Sequence, residues 1–314
     1  MSQIREKTEQ PRYHLSAQGW LKTPQWEPRG YIQPETLKEL WFHTGTICNL
    51  SCPFCLEGSK PGDNRLNQMS LEDILPFTEE AVKLGVEIFA FTGGEPFVVK
   101  DMVRILDHCL ELKPCLVLTN ATRPLQMRFD ALREFLKKPH PLKFRISLDY
   151  PDPQKHDAGR GEGNFFLALE TARQLHELGF KISVARQRQA GEDMRRSDAR
   201  YGPFLQKAGL PEDTVIVSFP DFLLPGSIAE VPHITESCMT TYHTRESRGK
   251  FMCHFSKMVV KKEGRTRVYA CTLVDDDEEY DLGPSLKESM PVRIMLKHHR
   301  CYSCFAQGAS CSER

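Results

Sequence analysis

Residues 44–55 read Thr-Gly-Thr-Ile-Cys-Asn-Leu-Ser-Cys-Pro-Phe-Cys, which places three cysteines in the spacing CxxxCxxC. Three thiolates from one short loop indicate a metal centre that lacks a fourth protein ligand. A 4Fe-4S cluster normally takes one thiolate on each of its irons. With Cys48, Cys52 and Cys55 as its ligands, such a cluster would keep one iron open for another molecule.

A zinc site and a disulfide framework are the two simpler explanations of this loop. Structural zinc is usually held by four ligands, often as paired CxxC knuckles, and no second pair lies nearby in the sequence. Disulfide scaffolds are typically short, secreted and rich in cysteine, whereas this chain has 314 residues and an odd 11 cysteines, and opens without an apolar signal segment. We therefore favour iron and sulfur over zinc or a redox disulfide.

The balance of charged residues limits the kinds of partner that we expect this protein to bind. Lys plus Arg and Asp plus Glu both total 42, so the net charge is zero and no nucleic acid is expected. No apolar run approaches the roughly 20 residues that a membrane span needs, so no membrane is expected either. We expect a cytoplasmic enzyme.

Short apolar segments alternate with polar turns and amphipathic stretches along most of the chain. Ser70 and Asp73 have the spacing of a capping box before one amphipathic stretch, and Gly85 is a suitable end for it. Strands and helices that alternate in this way form parallel sheets joined by crossover helices, so we expect an α/β fold. The pattern predicts strands at residues 40–47, 86–92, 115–119, 143–148, 181–185 and 214–219, and helices at residues 74–84, 102–112, 127–136, 164–178 and 199–208.

Polar residues follow these predicted strands, where parallel α/β folds gather their functional groups. The same residue types also begin ordinary turns, so turn chemistry is the alternative for each position taken alone. The residues concerned are Gly93, Gly94 and Glu95 after the second strand, Asn120 after the third, Ser147 and Asp149 after the fourth, and Arg186 after the fifth.

The cysteine loop, with Phe54 before its last cysteine and Gly-Gly-Glu-Pro at residues 93–96 one βα unit later, resembles the radical S-adenosylmethionine (SAM) enzymes. The resemblance implies a partial (β/α)6 barrel and an open iron that holds the amino and carboxylate groups of SAM. It also implies an electron donor of the flavodoxin or ferredoxin type, and cleavage of SAM to a 5′-deoxyadenosyl radical.

Residues 146–165 are similar to the S-L-D…H-D…R-G-x-G-x-F run of the SPASM and Twitch subfamilies, in which the serine contacts SAM and the region lines the substrate cavity. Arg186 could meet the SAM carboxylate or be solvated. The cofactor-binding residues that the resemblance implies are Phe54, Gly93, Gly94, Glu95, Asn120, Ser147, Asp149 and Arg160.

A second set of cysteines lies near the end of the chain. Two β-rich runs around a Glu-Gly turn read as a hairpin that leads from Cys253 to Cys271, and Cys301 and Cys304 form a CxxC pair. Four thiolates suit either zinc or a 4Fe-4S cluster. This arrangement resembles the Twitch domain, a shortened SPASM domain, which implies one auxiliary 4Fe-4S cluster; Cys311 is left over or serves as an alternative ligand.

The resemblance implies that a small-molecule or peptide substrate loses a hydrogen atom to the radical, and that the auxiliary cluster then oxidises it, as in Twitch-type alcohol dehydrogenases. Cys238 and His243 are candidates for the base by position only. Three alternatives remain, which are a peptide maturase that forms a thioether or carbon-carbon crosslink, an epimerase, and a non-catalytic zinc-stabilised binding protein. For the maturase, the residues before the first strand look too few for a leader-binding module. The expected segments are an N-terminal arm (1–39), the partial barrel (40–225), a linker on the substrate side (226–250) and the auxiliary domain (251–314).

Overall fold

An eight-stranded sheet is the centre of the computed structural model, which describes residues 17–189, 191–220, 223–308 and 312–313. Cys311 and residues 1–16 of the predicted arm lie outside this part of the chain. The described residues form ten strands, which are β1 (Tyr31–Ile32), β2 (Glu39–His43), β3 (Ile88–Thr92), β4 (Cys115–Thr119), β5 (Leu142–Ser147), β6 (Lys181–Gln187), β7 (Ile216–Phe219), β8 (Ser256–Lys262), β9 (Arg265–Tyr269) and β10 (Ile294–Met295).

The helices between the parallel strands cover one face of the sheet, and the helices that carry C-terminal cysteines belong to the core on the other face. Three short 3-10 turns accompany them at Pro96–Val98, Phe135–Lys137 and Glu278–Tyr280. The helices of the described residues are α1 (Ala17–Leu21), α2 (Leu71–Lys83), α3 (Met102–Leu112), α4 (Arg123–Gln126), α5 (Phe129–Glu134), α6 (Pro153–Arg160), α7 (Asn164–Leu178), α8 (Met194–Ala199), α9 (Gly202–Lys207), α10 (Glu236–Tyr242), α11 (Arg245–Arg248), α12 (Met252–Phe255), α13 (Leu286–Ser289) and α14 (His299–Gln307).

The strand order in the main sheet is β7-β6-β5-β4-β3-β2-β8-β9. Strands β2 to β7 are parallel and adjacent in chain order, which confirms the predicted α/β fold with six parallel strands. Within the described residues the sheet stays open and does not close into a barrel. All six carboxyl ends therefore face the same edge of one sheet, where the cysteine loop follows β2.

Alternating side chains of the strands pack into two different cores. In β2, Leu40 and Phe42 contact the core beneath the helices, whereas Trp41 between them belongs to a second core that contains the C-terminal cysteines. Successive side chains of a strand point to opposite faces, which explains this division. The sheet is consequently buried on both faces and separates the helical layer from the C-terminal segment.

Local signals set the ends of several elements. Ser70 Oγ accepts from Asp73 N–H, and Asp73 accepts from Ser70 N–H at 2.7 Å, so the predicted capping box is present. Gly179, at φ 108°, ends α7 as predicted. The strand expected at 40–47 ends at His43 instead, because Gly45 has φ 119° and turns the chain out of the extended conformation.

The C-terminal hairpin, formed by β8 and β9, is part of the main sheet. Strand β8 pairs with β2 in parallel, in the register Leu40 opposite Lys257, so the hairpin extends the main sheet. Strand β1 of the N-terminal arm likewise pairs with β10. Neither pairing was predicted. No helix of the described residues combines the length and apolar character needed to cross a bilayer.

Candidate functional site

The carboxyl ends of the parallel strands open onto a cavity of about 180 Å³. Its apolar wall includes Trp41, Leu118, Phe219 and Leu273, so it joins residues of the sheet to the C-terminal segment. The predicted site residues that line it are Cys48, Cys52, Phe54, Cys55, Gly93, Gly94, Asn120, Ser147, Asp149 and Arg160. Seven predicted site residues do not line it, which are Glu95, Cys238, His243 and the C-terminal cysteines Cys253, Cys271, Cys301 and Cys304.

The thiols of the cysteine loop are partly shielded from solvent. Burial raises the pKa of all three, and that of Cys48 reaches about 11. They are also close enough to perturb one another electrostatically. Neutral thiols must lose their protons when they bind a metal. Leu50 N–H, 3.4 Å from Cys48 Sγ, is placed to stabilise the resulting thiolate.

The Gly-Gly-Glu turn after β3 is bonded directly to the cysteine loop. Gly94 N–H donates to Gly45 O at 2.9 Å, and Glu95 N–H donates to Ile47 O at 3.1 Å. A Cβ at position 94 would lie 2.2 Å from Ile47 O. Glycine is therefore required at position 94, because the backbones of the turn and of the cysteine loop approach each other closely there.

The carboxyl group of Glu95 is buried behind the cavity wall. It accepts from Phe97 N–H at 3.2 Å, Thr119 Oγ1 at 2.9 Å and Asn120 N–H at 2.8 Å. Burial raises the pKa of Glu95 to about 7, against the opposing effect of these donors. Glu95 thus joins the ends of β3 and β4, and its assignment to SAM remains a prediction.

Asn120 and Ser147 lie on the cavity wall at the ends of β4 and β5. The side chain of Asn120 donates to Asn49 Oδ1 at 3.0 Å and lies 3.9 Å from Cys48 Sγ. It also accepts from Thr122 N–H at 3.1 Å. Asn120 therefore holds the cysteine loop against the end of β4.

Asp149 and Arg160 form an ion pair in the cavity wall. Both Arg160 Nε and Nη2 donate to the Asp149 carboxylate, the latter at 3.1 Å. The guanidinium lies 6.0 Å from the centre of the Phe54 ring and is close enough to lower the pKa of Cys52 against the dominant effect of burial. Helix α6 also packs tightly here, because a Cβ on Gly159 would lie 2.1 Å from the Phe54 ring. A positive charge is thereby fixed beside the cysteine loop.

Three residues that the sequence singled out have partners elsewhere. Arg186 lines the cavity, but its guanidinium is 2.6 Å from carboxylate oxygens of both Glu192 and Asp198, so it is buried in ion pairs and not solvated. His243 is within 3.1 Å of Phe305 O and of a serine hydroxyl. Cys238 lies 3.2 Å from Thr235 Oγ1 at the start of α10. The suggestion that Cys238 or His243 acts as a base remains a prediction, and their placement does not support it.

His43, Glu57 and Asp275 form a polar group that no motif in the sequence indicated, and their potential ligand atoms all lie within 4.8 Å of one another. His43 Nδ1 accepts from Gly45 N–H at 3.2 Å, so its proton is on Nε2, which donates to Glu57 at 3.0 Å. That tautomer leaves no lone pair on Nε2 for a metal. Burial, together with the nearby charge of Glu57, raises the pKa of Asp275 to about 7. The group therefore brings Asp275 of the C-terminal segment close to the hydrogen-bonded pair of His43 and Glu57 beside the cysteine loop.

The four C-terminal cysteines come from three separate elements and are all buried. Cys253 lies in α12, Cys271 follows β9, and Cys301 and Cys304 lie in α14. Electrostatic effects among these thiols connect Cys271 to each of the other three. Burial raises the pKa of Cys253 to about 12 and of Cys301 to about 11. A donor set of four thiols in an apolar core fits a closed metal centre.

Residues 42–186 are similar to known sequences. The family model "Radical SAM superfamily" matches residues 42–186. GTP 3′,8-cyclase of Mannheimia succiniciproducens is 28% identical over 140 residues, which are 44% of this chain and 41% of that protein. The mycofactocin maturase MftC of Mycolicibacterium smegmatis is 27% identical over 165 residues, 51% of this chain and 41% of MftC. The matched part therefore spans about two-fifths of the length of these relatives.

Solved structures extend the likeness of the fold beyond this segment. SuiB of Streptococcus suis, in a crystal structure with bound S-adenosylmethionine, has a TM-score of 0.58 at 16% identity. That match covers 79% of this chain and 63% of SuiB. SuiB bound to its precursor peptide SuiA has a TM-score of 0.57, also at 16% identity, and covers 82% of this chain and 65% of SuiB.

Proposed function

From the match of residues 42–186 to the radical SAM family model, we propose that this protein holds a 4Fe-4S cluster through Cys48, Cys52 and Cys55 and binds SAM at the iron without a protein ligand. When bound, the cluster and SAM supply a 5′-deoxyadenosyl radical that removes a hydrogen atom from a substrate carbon. The observation that carries the proposal is that Cys48, Cys52 and Cys55, and no other cysteine of the described residues, line one cavity together with the polar ends of the strands.

The residues around this cavity position the cofactors and keep water out. The turn at Gly93 and Gly94 is hydrogen-bonded to the cysteine loop, so the loop has a fixed place at the end of β3. Arg160 places a positive charge near Cys52 and Cys55, which favours the thiolate forms that bind iron. The apolar wall lowers the local dielectric and excludes water from a reactive radical.

We further propose that Cys253, Cys271, Cys301 and Cys304 hold a second 4Fe-4S cluster. Four protein thiolates leave no iron open for substrate, so a cluster in this site would supply an electron acceptor. The reaction class that follows is oxidation, in which a substrate carbon loses a hydrogen atom and the resulting radical loses a proton and an electron. The burial of all four thiols at the cavity side of the sheet supports this proposal.

The test is to count iron in protein reconstituted without oxygen. We expect about eight irons per chain for two 4Fe-4S clusters, and about four in Cys48→Ala and in Cys271→Ala. Cys48→Ala should lose reductive cleavage of SAM, whereas Cys271→Ala should keep it and lose only the oxidised product. Zinc in place of iron at the C-terminal cysteines, or SAM cleavage by Cys48→Ala, would contradict the assignments.

A peptide substrate is the second candidate. The observation that favours it is the fold shared with SuiB, which has been solved with a precursor peptide, together with the partial similarity to the maturase MftC. Incubation with candidate peptides followed by mass spectrometry separates the reactions. Loss of two hydrogens with a new crosslink indicates a maturase, whereas loss of two hydrogens from an unlinked small molecule indicates a dehydrogenase.

A further inference from the structure

Lys257 is a buried cation that has no carboxylate partner among the described residues. It is the second residue of β8 and is 1% exposed. Its ammonium donates to two backbone carbonyls, Cys253 O at 3.4 Å and Ser256 O at 3.3 Å. Two carbonyl dipoles at these distances offset only part of the cost of removing a charge from water.

The groups that act electrostatically on Lys257 are thiols. They belong to Cys253 and Cys271, and Cys253 also accepts from the Lys257 ammonium through its backbone carbonyl. Protonated thiols carry no charge, so the metal-free protein contains an ammonium without a counter-ion in this part of the core. Thiolates bound to a metal at the same cysteines would provide one.

We propose that Lys257 is the fixed counter-charge of the centre held by Cys253, Cys271, Cys301 and Cys304, and that it raises the reduction potential of a 4Fe-4S cluster bound there. This inference rests on the second cluster in the proposed function. Four thiolates give such a cluster a net negative charge that increases on reduction, and a nearby cation stabilises the more negative state. Lys257 is thus a positioning residue for electron acceptance and touches neither substrate nor iron.

The perturbation is Lys257→Met, which keeps an unbranched side chain and removes the charge, with Lys257→Arg as the control that keeps it. The reduced and oxidised forms of the auxiliary cluster are measured by electron paramagnetic resonance during a redox titration of the reconstituted protein. Its signal is assigned from Cys48→Ala protein, which retains only that cluster. At a fixed solution potential, we expect Lys257→Met to lower the ratio of reduced to oxidised cluster about tenfold, equivalent to about 59 mV for one electron. Lys257→Arg should stay within about threefold of the wild type.

Thermal unfolding gives a second readout that distinguishes charge from packing. In metal-free, reduced protein, Lys257→Met should unfold at a higher temperature than the wild type, because the uncompensated ammonium is gone. In cluster-loaded protein the order should reverse. A lysine that served only to fill space would give the same order in both forms.

The possible results separate this inference from the proposed function. A second cluster with the same potential in wild type and Lys257→Met overturns the role of Lys257 and leaves the cluster assignment intact. A wild-type protein with about four irons and no auxiliary signal overturns both. Loss of the second cluster in Lys257→Met but not in Lys257→Arg supports the counter-charge.

Discussion

Replacing Gly94 with alanine tests whether the turn after β3 must contact the cysteine loop. The new Cβ would lie 2.2 Å from Ile47 O, 2.6 Å from Ile47 C and 2.9 Å from Thr46 O. Real Cβ atoms essentially never come closer than 3.0 Å to such atoms. All three are backbone atoms, so no side-chain rotation can relieve the overlap, and the turn and the loop must separate.

The cost follows from the contacts that this separation breaks. Gly94 N–H and Glu95 N–H both donate to carbonyls of the loop, and a net loss of about 1 kcal/mol per hydrogen bond is usual. Overpacking in a tightly packed region adds about 1–3 kcal/mol. We therefore expect Gly94→Ala to lower the free energy of unfolding by about 3–5 kcal/mol.

Urea denaturation of the metal-free, reduced protein measures this change without interference from cluster loss. Gly202→Ala is the matched control, because a Cβ at that first residue of α9 meets nothing within 4 Å. The control should stay within about 0.5 kcal/mol of the wild type or be stabilised by up to about 1 kcal/mol. Reconstituted Gly94→Ala should also lose SAM cleavage, since the cysteine loop is displaced.

An unchanged stability in Gly94→Ala would refute the reasoning, because the calculated overlap leaves no room for the methyl group. Equal losses in both variants would refute it as well, since they would indicate a general effect of replacing glycine. The informative result is a difference of at least about 2 kcal/mol between the two variants.

The remaining predictions concern buried charges, each measured by urea denaturation of metal-free protein. The raised pKa of Glu95 means that its stabilising contribution is complete below its unfolded value of 4.5 and is lost as the pH rises through about 7. The stability difference between wild type and Glu95→Gln should therefore move in favour of the variant by about 3 kcal/mol between pH 4.5 and 8, and a constant difference would contradict the shift. Arg160→Leu should lower the free energy of unfolding by about 3 kcal/mol at pH 7, because Asp149 loses its partner. The double variant with Asp149→Asn should recover more than half of this loss, and no recovery would contradict the proposed ion pair. Glu313→Ala should lower the free energy of unfolding by about 1–3 kcal/mol, since the carboxylate lies 3.0 Å from buried Arg145. A decrease of less than about 0.5 kcal/mol would contradict a stabilising contact between these two residues.

The sequence predicted the parallel strands and their connecting helices because the necessary information is local. A short continuous run of apolar residues marks a strand that is buried on both faces, as Leu40, Trp41 and Phe42 show by dividing between two cores. Helix ends depend on residues a few positions apart, such as Ser70 with Asp73. Such signals act within one element and do not depend on what packs against it.

The pairing of β8 with β2 could not be predicted in the same way. Lys257 and Leu40 are opposite each other in the register but more than two hundred residues apart in the chain. Residues 256–269 read as an independent hairpin, and nothing within them indicates a third strand. The physical reason for the pairing is that β2 would otherwise be an edge strand with unpaired backbone groups, which the hairpin covers.

The roles of polar residues at the strand ends could not be predicted from the sequence either. Glu95 and Arg186 have the residue types and positions of ligand-binding groups, yet both are engaged by other protein groups. A carboxylate that binds backbone N–H groups has the same sequence signature as one that binds a ligand. The cysteines were easier to recognise, because several thiols with this spacing have few other uses.

Arg300 shows why the two cysteine sets should be regarded as one structure. Its guanidinium donates to Leu273 O at 3.1 Å and reaches Leu56 O at 3.5 Å, and these residues lie close in sequence to Cys271 and Cys55. Arg300 itself directly precedes Cys301. One buried side chain therefore contacts the backbone beside ligands of both proposed clusters. Because a guanidinium has fixed planar geometry, movement of the loop at one centre must be accommodated by the backbone at the other. The parallel pairing of β8 with β2 also connects the C-terminal segment to the strand that precedes the cysteine loop. The spatial relation between the two proposed centres is therefore determined by the main sheet and by Arg300 together.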